Sequence, residues 1–171
     1  GVGEITDFMP VEELYNGKEL IRRVTTVRGE VHYEMRCRPR FNYGKAKHSV
    51  DVVSPTEVIL TSQDEDGTVL RFKSSIPLKI DDGDITADFT LSPNQTADFL
   101  LEHVNKEDDG GRDFKTFITE SLFETVNFWK DWIARSTYKG RWLEMVNRSA
   151  LVLKLLTSHN YGSIVAAPTF S

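Results

Sequence analysis

The chain has 171 residues, of which 39% are apolar and 27% charged, and its net charge is −5. That composition is ordinary for a globular protein forming one domain, or one domain with an appendage. It argues against a phosphate-tracking basic surface, so no nucleic-acid partner is expected, and no apolar run reaches the roughly 20 residues that cross a bilayer, so no membrane partner is expected.

A single cysteine, Cys37, excludes an intramolecular disulfide and a cysteine-cluster metal site. With no signal-peptide pattern at Gly1, the expected location is cytoplasmic.

Residues 1–113 hold 14 Lys/Arg against 22 Asp/Glu, and residues 114–171 hold 7 against 4. The change in charge accompanies a change in pattern. The first part alternates with period two. Val31, Tyr33, Met35 and Cys37 alternate with His32, Glu34, Arg36 and Arg38. Ile85, Ala87, Phe89 and Leu91 alternate with Thr86, Asp88 and Thr90. Strand-like runs also occur near Leu20–Val27, Thr56–Ser62 and Thr68–Lys73. Turn signals at Arg28-Gly29, Asp64–Gly67 and Asp81–Gly83 separate them. Short strands broken at this spacing, with no helix-length crossover between them, predict antiparallel sheets packed as a β-sandwich over residues 1–109.

The polar segment Lys106–Asp113, with Gly110-Gly111 at its centre, reads as a linker. A helix follows, with Phe114, Ile118, Leu122, Val126, Trp129 and Ile133 as an i, i+4 stripe that Phe117, Phe128 and Trp132 widen. Linker and helix together occupy residues 110–137. A second helix is expected from about Arg141 to Thr157. Its end, Leu151–Leu153 with Leu155-Leu156, is apolar nearly all round and needs several neighbours for burial.

No constellation of side chains announces chemistry. His32, His48, His103 and His159 lack helical metal-ligand spacing, so no metal and no cofactor are expected. Phosphate-cradling glycine loops and nucleophile elbows are absent from the sequence. Cys37 falls on the apolar face of its strand, as a buried structural thiol would. Arg36, Arg38 and Arg40 share the other face, either as an anion or polar-partner site or, as the plainer reading has it, as solvated charges paired with acidic neighbours. Glu120 and Glu124 sit one helical turn apart, which is ordinary surface charge rather than a pair flanking a sugar. Phe128, Trp129, Trp132 and Trp142 are candidates for sugar stacking, though a helix with a long apolar stripe uses such residues as core more often.

Three stretches carry a resemblance. Trp129-Lys-Asp-Trp132 is followed by Tyr138–Trp142 and Val146–Leu151; Gly162–Ser171 follows in turn; Ile5–Pro10 and Arg38–Gly44 lie in the sheet region. This ordered set resembles glycoside hydrolase family 15, the glucoamylase type, in its bacterial trehalase-like branch. The resemblance implies that Ile5–Pro10 and Arg38–Gly44 are strands of a β-sandwich. It implies too that residues 138–171 begin a truncated (α/α)₆ barrel. Further sandwich sequence is then expected before Gly1, and the remaining barrel after Ser171. The family inverts α-glucosidic bonds with two carboxyl groups, and no position here matches them. The substrate, an α-glucoside or oligosaccharide, would be bound by that barrel. Pro168, Thr169 and Ser171 would begin the substrate loop. The implied function is therefore the noncatalytic N-terminal part of a hydrolase. The other reading is a carbohydrate-binding or interaction β-sandwich, with Tyr33, Phe41 and Tyr43 as the nearby aromatic candidates.

Overall fold

The computed structural model describes residues 1–11, 18–65, 67–104, 113–158 and 161–166. The chain divides into two compact units, Gly1–Leu122 and Phe123–Ser171.

The first unit contains two antiparallel sheets. Strands β1 (Val2–Phe8), β2 (Lys18–Arg28), β4 (His48–Ser54), β5 (Glu57–Ser62), β6 (Val69–Ser74) and β9 (Thr96–His103) form a six-stranded sheet in the order β1-β2-β9-β6-β5-β4. Strands β3 (Val31–Cys37), β7 (Lys79–Asp81) and β8 (Asp84–Leu91) form the other, in the order β3-β8-β7. The mainly antiparallel sandwich expected from the alternating runs is present.

The two clearest alternating runs pair with each other. Val31, Tyr33, Met35 and Cys37 stand opposite Leu91, Phe89, Ala87 and Ile85. In that register the apolar face of each strand lies on the same side of the small sheet. It packs on Val24, Val58, Leu60, Phe72, Ala97 and Phe99 of the large sheet. Tyr33 stacks on Phe89 with ring centroids 5.4 Å apart, and its hydroxyl lies 3.1 Å from Thr26 Oγ1. A half-buried tyrosine keeps its polar tip satisfied in this way.

Part of the opposite face of the large sheet, at β2 and β9, is also covered. Helix α2 (Phe114–Ala134) places Phe117 and Ile118 on Ile21 of β2 and Leu100 of β9. Consequently β9 is buried on both sides: Ala97, Asp98, Phe99 and Leu100 are consecutive buried residues. Asp113 caps the helix, its Oδ2 accepting from the Thr116 amide at 2.8 Å.

The buried line of α2 differs from the sequence expectation. Phe117, Ile118, Ser121 and Thr125 are buried, whereas Val126 is 38% exposed. The stripe is thus rotated, and two hydroxyl residues take its centre. Arg38–Gly44 is likewise not a strand. β3 ends at Cys37, and the one-turn element α1 (Phe41–Gly44) follows. The proline at Pro39 cannot donate to a ladder, which is a physical reason for pairing to stop there.

In the second unit, helix α3 (Leu143–Leu155) has no buried residue. Met145, Val152, Leu153 and Leu155 are all more than half exposed. After it Thr157 and Ile164 form an antiparallel bridge. Lys154 Nζ lies 5.1 Å from the Trp132 ring centroid, as does Arg135 Cζ at 5.4 Å.

Ile118 is fully buried and Ser121 equally so, but the Ser121 hydroxyl has no hydrogen-bond partner among the described residues. Ile118→Ala is expected to cost about 2–5 kcal/mol. Ser121→Ala is expected to be neutral or to stabilise by about 1 kcal/mol, because it removes a desolvated hydroxyl. Urea unfolding of both variants measures the contrast.

Candidate functional site

Charged and polar side chains converge at the end of β3 and the turn between β7 and β8. Asp84 opens β8 directly after Asp82 and Gly83, whose φ values are 47° and 81°. Two successive left-handed residues are the signature of a tight hairpin turn, and Asp-Gly suits it. The Asp84 carboxylate, 18% exposed, receives Arg40 Nη1 at 2.9 Å and Arg38 Nε at 3.1 Å. These guanidinium groups hold it below the usual carboxylate range, the Arg40 hydrogen bond contributing most. His48 Nε2 lies 2.9 Å from the Gly83 carbonyl oxygen, linking the same turn to β4.

Between these anchors the chain takes an unusual path. Asn42 (φ 48°, ψ 53°) and Tyr43 (φ 56°, ψ 32°) are left-handed, and Gly44 follows at φ 81°. Phe41 is buried in the sandwich core, 5.4 Å from the His48 ring. The amides of Lys45 and Ala46 bond to the carbonyls of Asn42 and Phe41 at 3.0 and 3.2 Å. Tyr43 is 87% exposed. Of the three aromatic candidates in the sheet region, Tyr33 and Phe41 are therefore core residues and Tyr43 alone faces solvent.

A cavity of about 270 Å³ opens between the sheets beside β3. Leu20, Phe72, Phe99 and Leu101 of the large sheet and Met35 of the small one form its apolar lining. Arg22 and Asp7 line it too and pair with each other, Nε–Oδ1 at 2.7 Å and Nη2–Oδ2 at 2.7 Å. The Arg22 hydrogen bond pulls the Asp7 carboxyl below its ordinary value. Cys37 also lines this cavity, and burial pushes its thiol up to about 11. A thiol so raised is a poor nucleophile.

The arginine face follows the plainer reading. Arg36 pairs with Glu34, and Arg38 and Arg40 with Asp84. Of the histidines, His32 lies 3.4 Å from Asp88, His103 is exposed at the end of β9, and His159 is outside the described residues. Among the described residues no three His, Cys, Asp or Glu side chains group as metal ligands would. Glu120 is exposed on α2 and Glu124 half-buried. Trp142 is 55% exposed, beside an open groove along α3, with Arg141 Cζ 4.9 Å from its ring centroid. Phe128, Trp129 and Trp132 are half-buried. Pro168, Thr169 and Ser171 lie outside the described residues, as does the Gly110-Gly111 linker centre.

Sequence reading missed the role of Asp84, which joins two segments 44 residues apart. It missed also the buried charges on the helix side of the large sheet. There Arg23 grips Asp98 through two bonds, at 2.7 and 3.0 Å. Arg71 lies 3.5 Å from both Glu57 and Glu102. The sequence signal available was Asn42-Tyr43-Gly44, a turn tripeptide in which asparagine tolerates the left-handed region.

No family model matches the chain. It is similar, over nearly its whole length, to three curated trehalases. The trehalase of Thermoplasma acidophilum is 32% identical over 97% of this chain and 28% of its own length. That of Thermoplasma volcanium is 29% identical over 98% of this chain and 26% of its own length. That of Mycolicibacterium smegmatis is 26% identical over 89% of this chain and 23% of its own length. The chain thus spans about a quarter of the relatives it matches.

Two outcomes follow from the electrostatics. Alkylation of Cys37 at pH 8 is expected to be slowed about a hundredfold or more relative to the urea-unfolded chain, because the thiolate fraction falls by that factor. Mass spectrometry of timed iodoacetamide reactions reads this. Asp7 and Asp84 have folded values below their unfolded ones, so their contribution is complete above about pH 4 and is lost as pH falls through the folded values. An Asp7→Asn, Asp84→Asn double variant should therefore be less stable at pH 6 and lose less further stability between pH 5 and 2, as followed by urea midpoints.

Proposed function

We propose that this chain is the noncatalytic N-terminal part of an inverting α-glucoside hydrolase of the trehalase-like, family 15 type. The observation that carries the reading is helix α3. Its thirteen residues include Met145, Val152, Leu153 and Leu155, and none of the thirteen is buried. An apolar helix is stable in water when other elements cover it. The matched trehalases are about four times the length of the aligned region, which is room for a helical barrel to do so. The near-complete alignment of this chain to one part of each relative supports the same reading.

Inverting hydrolysis needs one carboxylic acid to protonate the leaving oxygen and one carboxylate to activate water. The two stand roughly 6.5–9.5 Å apart across the scissile bond. Glu120 and Glu124 lie one turn apart on the same helix, whereas the two catalytic carboxyls flank a substrate between them, so neither takes a catalytic role in this reading. The acid and the base belong to the rest of the enzyme. This chain would supply a folded sandwich and the first helix on which the barrel builds.

The stereochemistry gives the proposal a sharp test. Both anomeric carbons of trehalose are α. Inversion at the attacked carbon yields β-glucose, and the departing glucose stays α. The full-length protein should release α- and β-glucose in equal amounts at early times, seen by proton NMR. Two α-glucose molecules would mean retention and would overturn the mechanism. The 171-residue chain alone should release no glucose from trehalose, maltose or dextrin. Turnover by the pure chain would refute the noncatalytic assignment.

A further inference from the structure

We propose that the turn at Phe41–Gly44, braced by Asp84, is a saccharide-contact site in which Tyr43 stacks on the face of a neutral sugar ring. The choice of α-glucosides as ligands rests on the hydrolase reading above; the site itself does not.

A non-glycine residue in the left-handed region loses roughly 1–2 kcal/mol, and for a bulky residue the conformation is a genuine outlier. Here Tyr43 is such a residue, following Asn42, which tolerates the same region. A turn that only reversed the chain would run without that penalty with glycine at position 43. Strain of this kind persists where surrounding contacts over-determine it, and such places cluster at ligand clamps. The contacts are present: Phe41 in the core, Arg40 and Arg38 on Asp84, and His48 on the Gly83 carbonyl.

What the strain achieves is display. Tyr43 is 87% exposed, on a turn anchored at Phe41 two residues before it. A rigid aromatic ring loses little conformational entropy on binding. The groups near it in the chain select the ligand. Within residues 38–47 and 81–84, Tyr43 is the sole exposed large hydrophobic, and the other exposed side chains include Arg38, Arg40, Asn42 and Asp82. A protein interface centres its anchors in an apolar patch. An exposed ring whose chain neighbours carry guanidinium and amide groups instead matches a sugar, which has C–H faces for stacking and hydroxyls that donate and accept. Arg38 and Arg40 each retain N–H donors beyond those on Asp84.

The test is a titration of the 171-residue chain with trehalose and maltotriose, and with sorbitol as an acyclic polyol lacking a ring face. The readout is amide and aromatic chemical shift. One stacked ring and a few hydrogen bonds correspond to a Kd of about 1–10 mM. The expected result is saturable shifts at Tyr43, Gly44 and Gly83 with either saccharide and none with sorbitol. Tyr43→Trp should bind within about threefold of wild type. Tyr43→Gly should bind at least tenfold more weakly while being as stable or more stable, because it relieves the backbone. That pairing separates lost contact from lost folding. The proposal is overturned if neither saccharide moves these resonances, if sorbitol moves them equally, or if Tyr43→Gly binds as wild type does. Saccharide binding by this chain, with no α-glucoside hydrolysis by the full-length protein, supports the site and overturns the hydrolase reading. Hydrolysis without binding by the chain does the reverse.

Discussion

The centre of the six-stranded sheet, at β2 and β9, packs on both faces, and most of the first unit follows from that. One face carries Val24, Phe72, Ala97 and Phe99 against the small sheet; the other carries Ile21 and Leu100 beneath Phe117 and Ile118. Polar groups caught between these layers must find partners, since an unpaired buried charge costs several kcal/mol. Arg23 and Asp98 accordingly meet through two bonds, and Arg71 lies between Glu57 and Glu102. These pairs face each other across neighbouring strands, Arg23 opposite Asp98 and Arg71 opposite Glu102. Strand register and charge pairing thus specify one another, because a one-residue slip would turn these charges to the sandwich face.

A core fixed on both faces makes a firm base for a strained turn. Phe41 enters the sandwich core, while Asp84 ties Arg38 and Arg40 to the start of β8. The left-handed pair Asn42-Tyr43 is held between these two points. Loops placed on rigid sheets carry function in many folds, since surface loops vary without disturbing the layers below. The ionised form of Asp84 is favoured by the arginines it holds, so the brace is electrostatic as well as geometric.

The second unit shows the opposite condition. Its helix α3 exposes the apolar side chains that its sequence provides, and the groove along it is open. An isolated helix of thirteen residues is marginal in water without a covered face. The similarity to trehalases several times longer supplies a reason for such a helix, and the proposed barrel is the element that would cover it.

The sequence was most informative where one face of an element meets the core and the other meets water. Alternation in 31–37 and 85–91 located β3 and β8, and their inward residues proved to be cross-strand partners. The apolar run of α3 was equally legible, because helix periodicity and composition are local. β9 carried no alternation, since a central strand buried on both sides loses the period-two signal. The arginines of 36–40 were visible as charges, but the acid that gathers two of them lies 44 residues further on. The stripe of α2 was read as apolar, yet the packed line passes through Ser121 and Thr125. By itself the sequence located β3, β8 and the two long helices and carried the likeness to a hydrolase family, all of which depend on neighbours along the chain. Only the tertiary structure decided which charges pair, which helix face is buried and which tyrosine is displayed, because those depend on residues brought together through register and packing.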